Sequence, residues 1–163
     1  MVDVDKLTKD TINNGGLLCL LYFDLHGKNK EVLQQLAAGF VDNVLKQKGV
    51  VTALGDIDEP IEREDLYSTS IELKVLTRDF GALVNLCALF SPINVEILRP
   101  SEVRITLDKA HELLVNIATE WFDIKRYITE RVANEKDRDQ LKKYLENRLA
   151  VGKKILEQKD EHK

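Results

Sequence analysis

The segment between residues 70 and 100 constrains the fold most, because it predicts a strand, a helix and a second strand in immediate succession. Residues 71–75 (IELKV) alternate apolar and charged side chains, which is typical of a half-buried strand. Asp79 then stands where a helix N-cap belongs. Residues 80–90 are apolar on nearly every side, which indicates a helix buried on more than one face. A Ser-Pro pair ends this helix, and residues 93–97 (INVEI) alternate again as a second strand.

The same kinds of element extend back to residue 17. Residues 17–25 (LLCLLYFDL) are apolar without alternation, which predicts a central strand covered on both faces. Asn29 can cap a helix that Gly49 ends, and residues 50–54 can form another strand. The resulting order predicts an α+β fold, a ferredoxin-like βαββαβ sandwich whose two helices cover one face of a four-stranded antiparallel sheet. Its first and third strands are expected to be central.

The face of the sheet away from the helices is predicted to be an interaction surface. Three side chains of the first strand, Leu18, Leu20 and Tyr22, would form its apolar centre. Charged and polar residues would flank them, namely Glu72, Lys74, Asn94 and Glu96. An apolar centre with a polar rim is the composition of many protein interfaces.

The chain after residue 100 predicts long helices. Apolar residues recur there at alternating spacings of three and four, the heptad pattern of a coiled coil, in a seam formed by Leu107, Ala110, Leu114, Ile117, Trp121, Ile124 and Ile128. The pattern lapses over residues 133–140 and resumes out of register at Leu141. We therefore predict a C-terminal helical hairpin, with one unbroken helix over residues 106–158 as the alternative. The predicted domains are residues 1–100 and 101–163.

The apolar seam and the apolar centre of the outer sheet face both need other parts of a protein to bury them. Either the C-terminal hairpin folds back on the first domain, or two chains pair. We predict a homodimer, because burying the seam residues stabilises a pair by about 1.5 to 3 kcal/mol for each side chain.

Composition excludes several function classes. The 163 residues carry a net charge of -4, which argues against nucleic acid as the partner because phosphates favour a basic surface. The first fourteen residues do not resemble a signal peptide, and the longest apolar run, residues 17–23, is too short to cross a membrane. These features predict a cytoplasmic protein with no membrane partner. Cys19 and Cys87 lie within apolar runs and are expected to be buried, and no motif for a metal ion or cofactor is found.

Residues 71–98 resemble the opening βαβ unit of an ACT domain, a small regulatory module that often binds amino acids. The similar pieces are Gly81-Ala82-Leu83 at the helix start and Ile93-Asn94-Val95 at the next strand. The chain departs from that family at residues 78–80, where Arg-Asp-Phe replaces the usual Asp-Arg-Pro, and after residue 98, where a long helix replaces the second βαβ unit.

This resemblance implies that an amino acid or another small anionic metabolite binds at a dimer interface. Backbone amides at the start of a helix offer unpaired donors to an anion. The implied ligand-binding residues are Arg78, Asp79, Phe80, Gly81, Ala82 and Asn94.

An alternative anion site lies where the first strand meets the next helix. Its residues are Asp24, His26, Gly27, Lys28 and Lys30. The glycine frees the backbone and the basic side chains could neutralise a phosphate, although the spacing is not that of a P-loop. Asp24 and His26 are two residues apart and point to one face of the strand, so they could also serve as acid and base in a small enzyme.

Taken together, these features predict a non-catalytic regulatory or binding module. The alternatives are an enzyme that uses Asp24 and His26, and a purely structural module for protein interaction.

Overall fold

A computed structural model describes residues 4–132 and 134–160, and this part of the chain contains five helices and five strands. In chain order they are α1 (Val4–Asn13), β1 (Leu17–Gly27), α2 (Lys30–Leu45), β2 (Val50–Ile57), β3 (Ile61–Arg63), β4 (Leu66–Thr77), α3 (Phe80–Phe90), β5 (Asn94–Arg99), α4 (Leu107–Val132) and α5 (Glu135–Asp160). The described residues up to Leu113 form one compact unit, unit 1, and those from Leu114 onward form unit 2. The boundary therefore lies inside α4, later than residue 100.

Unit 1 is built on an antiparallel sheet in which the order of strands is β2, β4, β1, β5. The short strand β3 pairs with the first residues of β4. The two long strands β1 and β4 lie in the middle and pair along the whole length of β1, from Leu17 opposite Thr77 to Gly27 opposite Tyr67. The prediction of an α+β fold with an antiparallel sheet is confirmed.

The order of elements differs from the predicted one in two places. Helix α1 precedes β1, and β3 forms within residues 55–65 (GDIDEPIERED), an acidic segment in which the predicted order contains no strand. Tertiary contacts explain both differences. Thr11 of α1 packs so closely on Gly16 that a Cβ there would lie 2.5 Å from the Thr11 Cγ2 atom. β3 gains its backbone partners from the long strand β4, while the carboxylate of Glu62 stays exposed.

The core of unit 1 lies between the sheet and helices α2 and α3. Every second residue of β1 from Leu17 to Phe23 is buried, and the matching residues of β4 are buried with them. Phe40 of α2 makes edge-to-face contacts with Phe23, at 4.7 Å between ring centroids, and with Phe90, at 5.3 Å. These contacts join both helices to the central strand, so the inner face of the sheet is well covered.

The C-terminal region contains two helices. Asn134 separates them, and its Oδ1 atom accepts a hydrogen bond of 3.0 Å from the amide of Asp137, which is the geometry of an N-cap. The single unbroken helix is therefore not observed. The predicted hairpin is not confirmed either, because α4 and α5 do not pack side by side among the described residues.

Candidate functional site

The start of α3, the ligand site implied by the resemblance to an ACT domain, is occupied by a side chain of the protein. Asp79 is the N-cap, and its Oδ1 atom accepts a hydrogen bond of 2.8 Å from the amide of Ala82. A Cβ on the buried Gly81 would lie 3.1 Å from that oxygen and 3.2 Å from Cε of Lys109. The position that an anionic ligand would take therefore already holds a carboxylate, with a lysine beside it.

Lys109 was not identified from the sequence, because it lies far along the chain in α4. Its Nζ atom is 2.9 Å from Oε2 of Glu112. That hydrogen bond, with a smaller contribution from the charge of Asp79, raises the pKa of the Lys109 ammonium. The lysine is therefore charged at neutral pH; it pairs with Glu112 and lies near the charge of Asp79.

The other residues of the implied ligand site do not all lie close together. The amide of Arg78 donates a hydrogen bond of 2.8 Å to the carbonyl of Gly49, and Phe80 packs against the core. Asn94 pairs with Tyr22 of β1, whereas the strand leading to α3 ends at Thr77, which pairs with Leu17. Five residues along β1 correspond to roughly 16 Å. The structure therefore groups residues 78–82 and places Asn94 away from them, beside the middle of β1.

The capping role of Asp79 predicts a measurable effect on stability. Replacing Asp79 by alanine leaves the Ala82 amide without its partner and should lower the free energy of unfolding by about 1 kcal/mol. Replacing it by asparagine keeps an acceptor oxygen and should cost less. Urea unfolding followed by circular dichroism measures both values. Equal losses in the two variants would show that the cap hydrogen bond contributes nothing.

The alternative anion site at the end of β1 is also occupied by internal partners. The Oδ1 atom of Asn29 accepts from the amide of Val32 at 3.0 Å and caps α2. Lys30 places its Nζ atom 2.6 Å from Oε1 of Glu59 in the acidic segment. This hydrogen bond raises the pKa of Lys30 and lowers that of Glu59. Lys30 is therefore paired rather than free for a phosphate. The one feature of the sequence that could have pointed to its partner Glu59 is the high density of acidic residues in the segment 55–65.

The proposed acid and base pair lies at the surface. Asp24 accepts a hydrogen bond of 2.9 Å from Oγ of Ser70 through its Oδ1 atom. His26 and Lys28 are exposed. Asp24 and His26 stand opposite Ser70 and Ser68 of β4, which places them on the same face of β1. Their geometry is that of an exposed polar strand end.

An open groove of about 530 Å³ runs beside α2. Most of its lining is apolar, and its residues are Leu25, His26, Val32, Leu33, Gln35, Leu36, Gly39, Phe40 and Asn43. Its volume lies within the range of ligand pockets, roughly 300 to 1,000 Å³. His26 is the one titratable side chain in this lining.

Cys19 is buried in the core, as the sequence predicted, whereas Cys87 is half-buried and packs against the core. Burial raises the pKa of Cys19 to about 12, with a smaller contribution from Cys87, and burial also raises the pKa of Cys87. The thiolate form of Cys19 is therefore suppressed at neutral pH. Within the described ranges, no group of three side chains could hold a metal ion, and no helix is long and apolar enough to cross a membrane.

The outer face of the sheet has the predicted arrangement. Leu20 stands between Lys74 on β4 and Glu96 on β5, and Tyr22 stands between Glu72 and Asn94. Loss of solvent contact and the nearby carboxylates of Glu96 and Glu72 raise the pKa of the Tyr22 phenol. The centre of this face is half-buried and its neighbours are exposed.

Helix α4 carries an exposed apolar seam. Its residues in unit 2, named here the α4 seam, are Leu114, Ile117, Trp121, Ile124 and Ile128. Leu114 is 64% exposed, Trp121 is 60% exposed, and the other three are at least 40% exposed. The neighbouring Leu113, which belongs to unit 1, is buried. In the part of the chain that the structure describes, these five side chains are exposed, and packing of α5 along α4 is not observed.

Comparison with known proteins gives one match. No curated protein and no solved structure matches the chain, and nothing confirms the resemblance to an ACT domain. The model of the MJ0538 family matches residues 18–149, which extend from β1 into α5 and cover more than half of the chain. The chain therefore belongs to the MJ0538 family.

Proposed function

We propose that this chain is a non-catalytic binding module that acts as a homodimer, with two copies joined along the α4 seam. One observation carries the proposal: five large apolar side chains at heptad spacing are exposed on one helix. A helix that exposes such a seam in isolation is stabilised by packing against a second helix with a matching seam. The second copy of this chain supplies one.

The energetics allow such a pair. Two copies contribute ten seam side chains, and each contributes about 1.5 to 3 kcal/mol when it is fully buried. Half of that value, which suits side chains buried only in part, sums to about 8 to 15 kcal/mol. This sum is comparable with the cost of about 4 to 15 kcal/mol for bringing two chains together. We therefore expect a dimer whose stability depends on each seam residue.

Protein binding is favoured over small-anion binding and catalysis by the contacts at the other candidate sites. Asp79 and Asn29 satisfy helix-start amides with their own oxygens, and an added anion at Asp79 would meet a carboxylate of like charge. Asp24 is exposed and hydrogen-bonded to Ser70. The thiols of Cys19 and Cys87 have raised pKa values, which disfavour a nucleophilic role.

We also propose that unit 1 is a variant of the ferredoxin-like fold. With α1 and β3 set aside, the remaining elements follow the order βαββαβ. The first and third of the four remaining strands, β1 and β4, are central and antiparallel. On this view α1 is an addition before β1, and β3 is an addition to the connection between β2 and β4.

Sedimentation velocity of the full chain tests the proposed dimer. We expect a mass of twice 18.6 kDa, with dissociation on dilution. A mass of 18.6 kDa at every concentration up to the solubility limit would overturn the proposed function.

A further inference from the structure

We infer that the two copies of α4 pair parallel and in register, with Glu120 of each copy beside Lys125 of the other. The inference rests on the proposed dimer and adds its orientation. The observation behind it is that these two opposite charges flank the α4 seam: Glu120 precedes Trp121, and Lys125 follows Ile124. Both side chains are exposed, and neither forms an ion pair with another described residue.

The two charges cannot satisfy each other within one helix. Residues five apart are separated by about 140° around an α-helix, since successive residues turn by about 100°. Glu120 and Lys125 therefore lie on opposite flanks of the α4 seam. Side chains on one helix meet when they are three or four residues apart, as Asp123 and Arg126 do at 3.3 Å in this same helix.

Parallel pairing in register brings the two charges together. In a heptad written abcdefg, the α4 seam occupies positions a (Leu114, Trp121, Ile128) and d (Ile117, Ile124). Glu120 is then at position g and Lys125 at position e of the next heptad. In parallel coiled coils, g of one helix lies beside e of the following heptad in the partner. The symmetry of a dimer makes this attractive contact twice.

Antiparallel pairing makes no such contact, because g then lies beside g and e beside e. The register that stacks Ile117 on Trp121 of the second copy places Glu120 beside its own counterpart, so two like charges meet. The register that stacks Trp121 on Ile124 places Glu120 beside Tyr127 and Lys125 beside Ala118. Neither arrangement pairs opposite charges, so the charges favour the parallel one.

Reversing the charges tests the orientation. Glu120→Lys and Lys125→Glu should each raise the dimer dissociation constant about tenfold, because each places like charges together at two symmetric contacts. The double variant Glu120→Lys/Lys125→Glu should return to within about twofold of the unchanged chain, because the attraction is restored with its sign exchanged. Single effects that add in the double variant would overturn the inferred pairing.

Disulfide trapping gives an independent readout. Ile117→Cys in both chains should give a covalent dimer under a mild thiol oxidant, because a parallel register brings this position next to itself. The unchanged chain and the exposed off-seam variant Asn116→Cys are controls, and neither should cross-link. A covalent species that forms only when Ile117→Cys chains are mixed with Trp121→Cys chains would establish antiparallel pairing.

The two proposals fail in different ways. A dimer in sedimentation whose Ile117→Cys variant does not cross-link overturns the parallel orientation alone. A monomer in sedimentation overturns the proposed function, and the orientation with it.

Discussion

Replacing Ile124 by aspartate should dissociate the dimer. Ile124 lies in the middle of the α4 seam and is half exposed in the single chain, so a second copy would bury it. The substitution removes about 0.8 to 1.5 kcal/mol of apolar burial from each chain, half of the full-burial value, and brings two carboxylates together in an apolar contact. The dissociation constant should therefore rise by roughly a hundredfold or more. Sedimentation velocity across a concentration series measures the change.

Val115 provides a matched control on the same helix. It is 63% exposed, but at heptad position b it lies off the α4 seam. Val115→Asp introduces the same charge on the same helix, and it should leave the dissociation constant within about twofold. Equal weakening by both substitutions would mean that the charge of the helix, rather than the α4 seam, controls association. A stable dimer of the Ile124→Asp variant would exclude the seam as the contact.

Replacing Leu73 by alanine should strongly destabilise unit 1. Leu73 lies in the central strand β4, pairs with Leu21 of β1 and has no exposed surface. Truncation leaves a cavity beneath helices α2 and α3 that the surrounding packed side chains cannot fill completely. The expected loss is about 2 to 5 kcal/mol in the free energy of unfolding, measured by urea unfolding.

Leu54 is the control for this prediction. It lies on the neighbouring strand β2 and is 63% exposed, so truncation to alanine removes few contacts. Leu54→Ala should change the free energy of unfolding by no more than about 0.5 kcal/mol. A small loss in Leu73→Ala, comparable with that of the control, would contradict the assignment of the core to the inner face of the sheet.

Features that depend on neighbouring residues could be predicted from the sequence. Alternation over residues 71–75 is sufficient to identify the strand and its buried face, because side chains alternate across a strand. The cap by Asp79 and the helix end at Ser91, whose backbone is left-handed with φ of 50°, depend on groups within four residues. The heptad spacing in α4 is likewise a local property. It predicted an apolar seam, and the structure shows that seam as an exposed face.

Features that depend on distant residues were decided by tertiary structure. Lys30 finds Glu59 across 29 residues of sequence, and Lys109 of α4 reaches the start of α3. Strand β3 exists because β4 extends beyond β2 and offers it free backbone partners. Asn94 lies apart from Gly81 because strand register, not sequence proximity, sets the distance between them. Local patterns specify which surfaces must be buried, but packing in three dimensions decides which distant groups share a site.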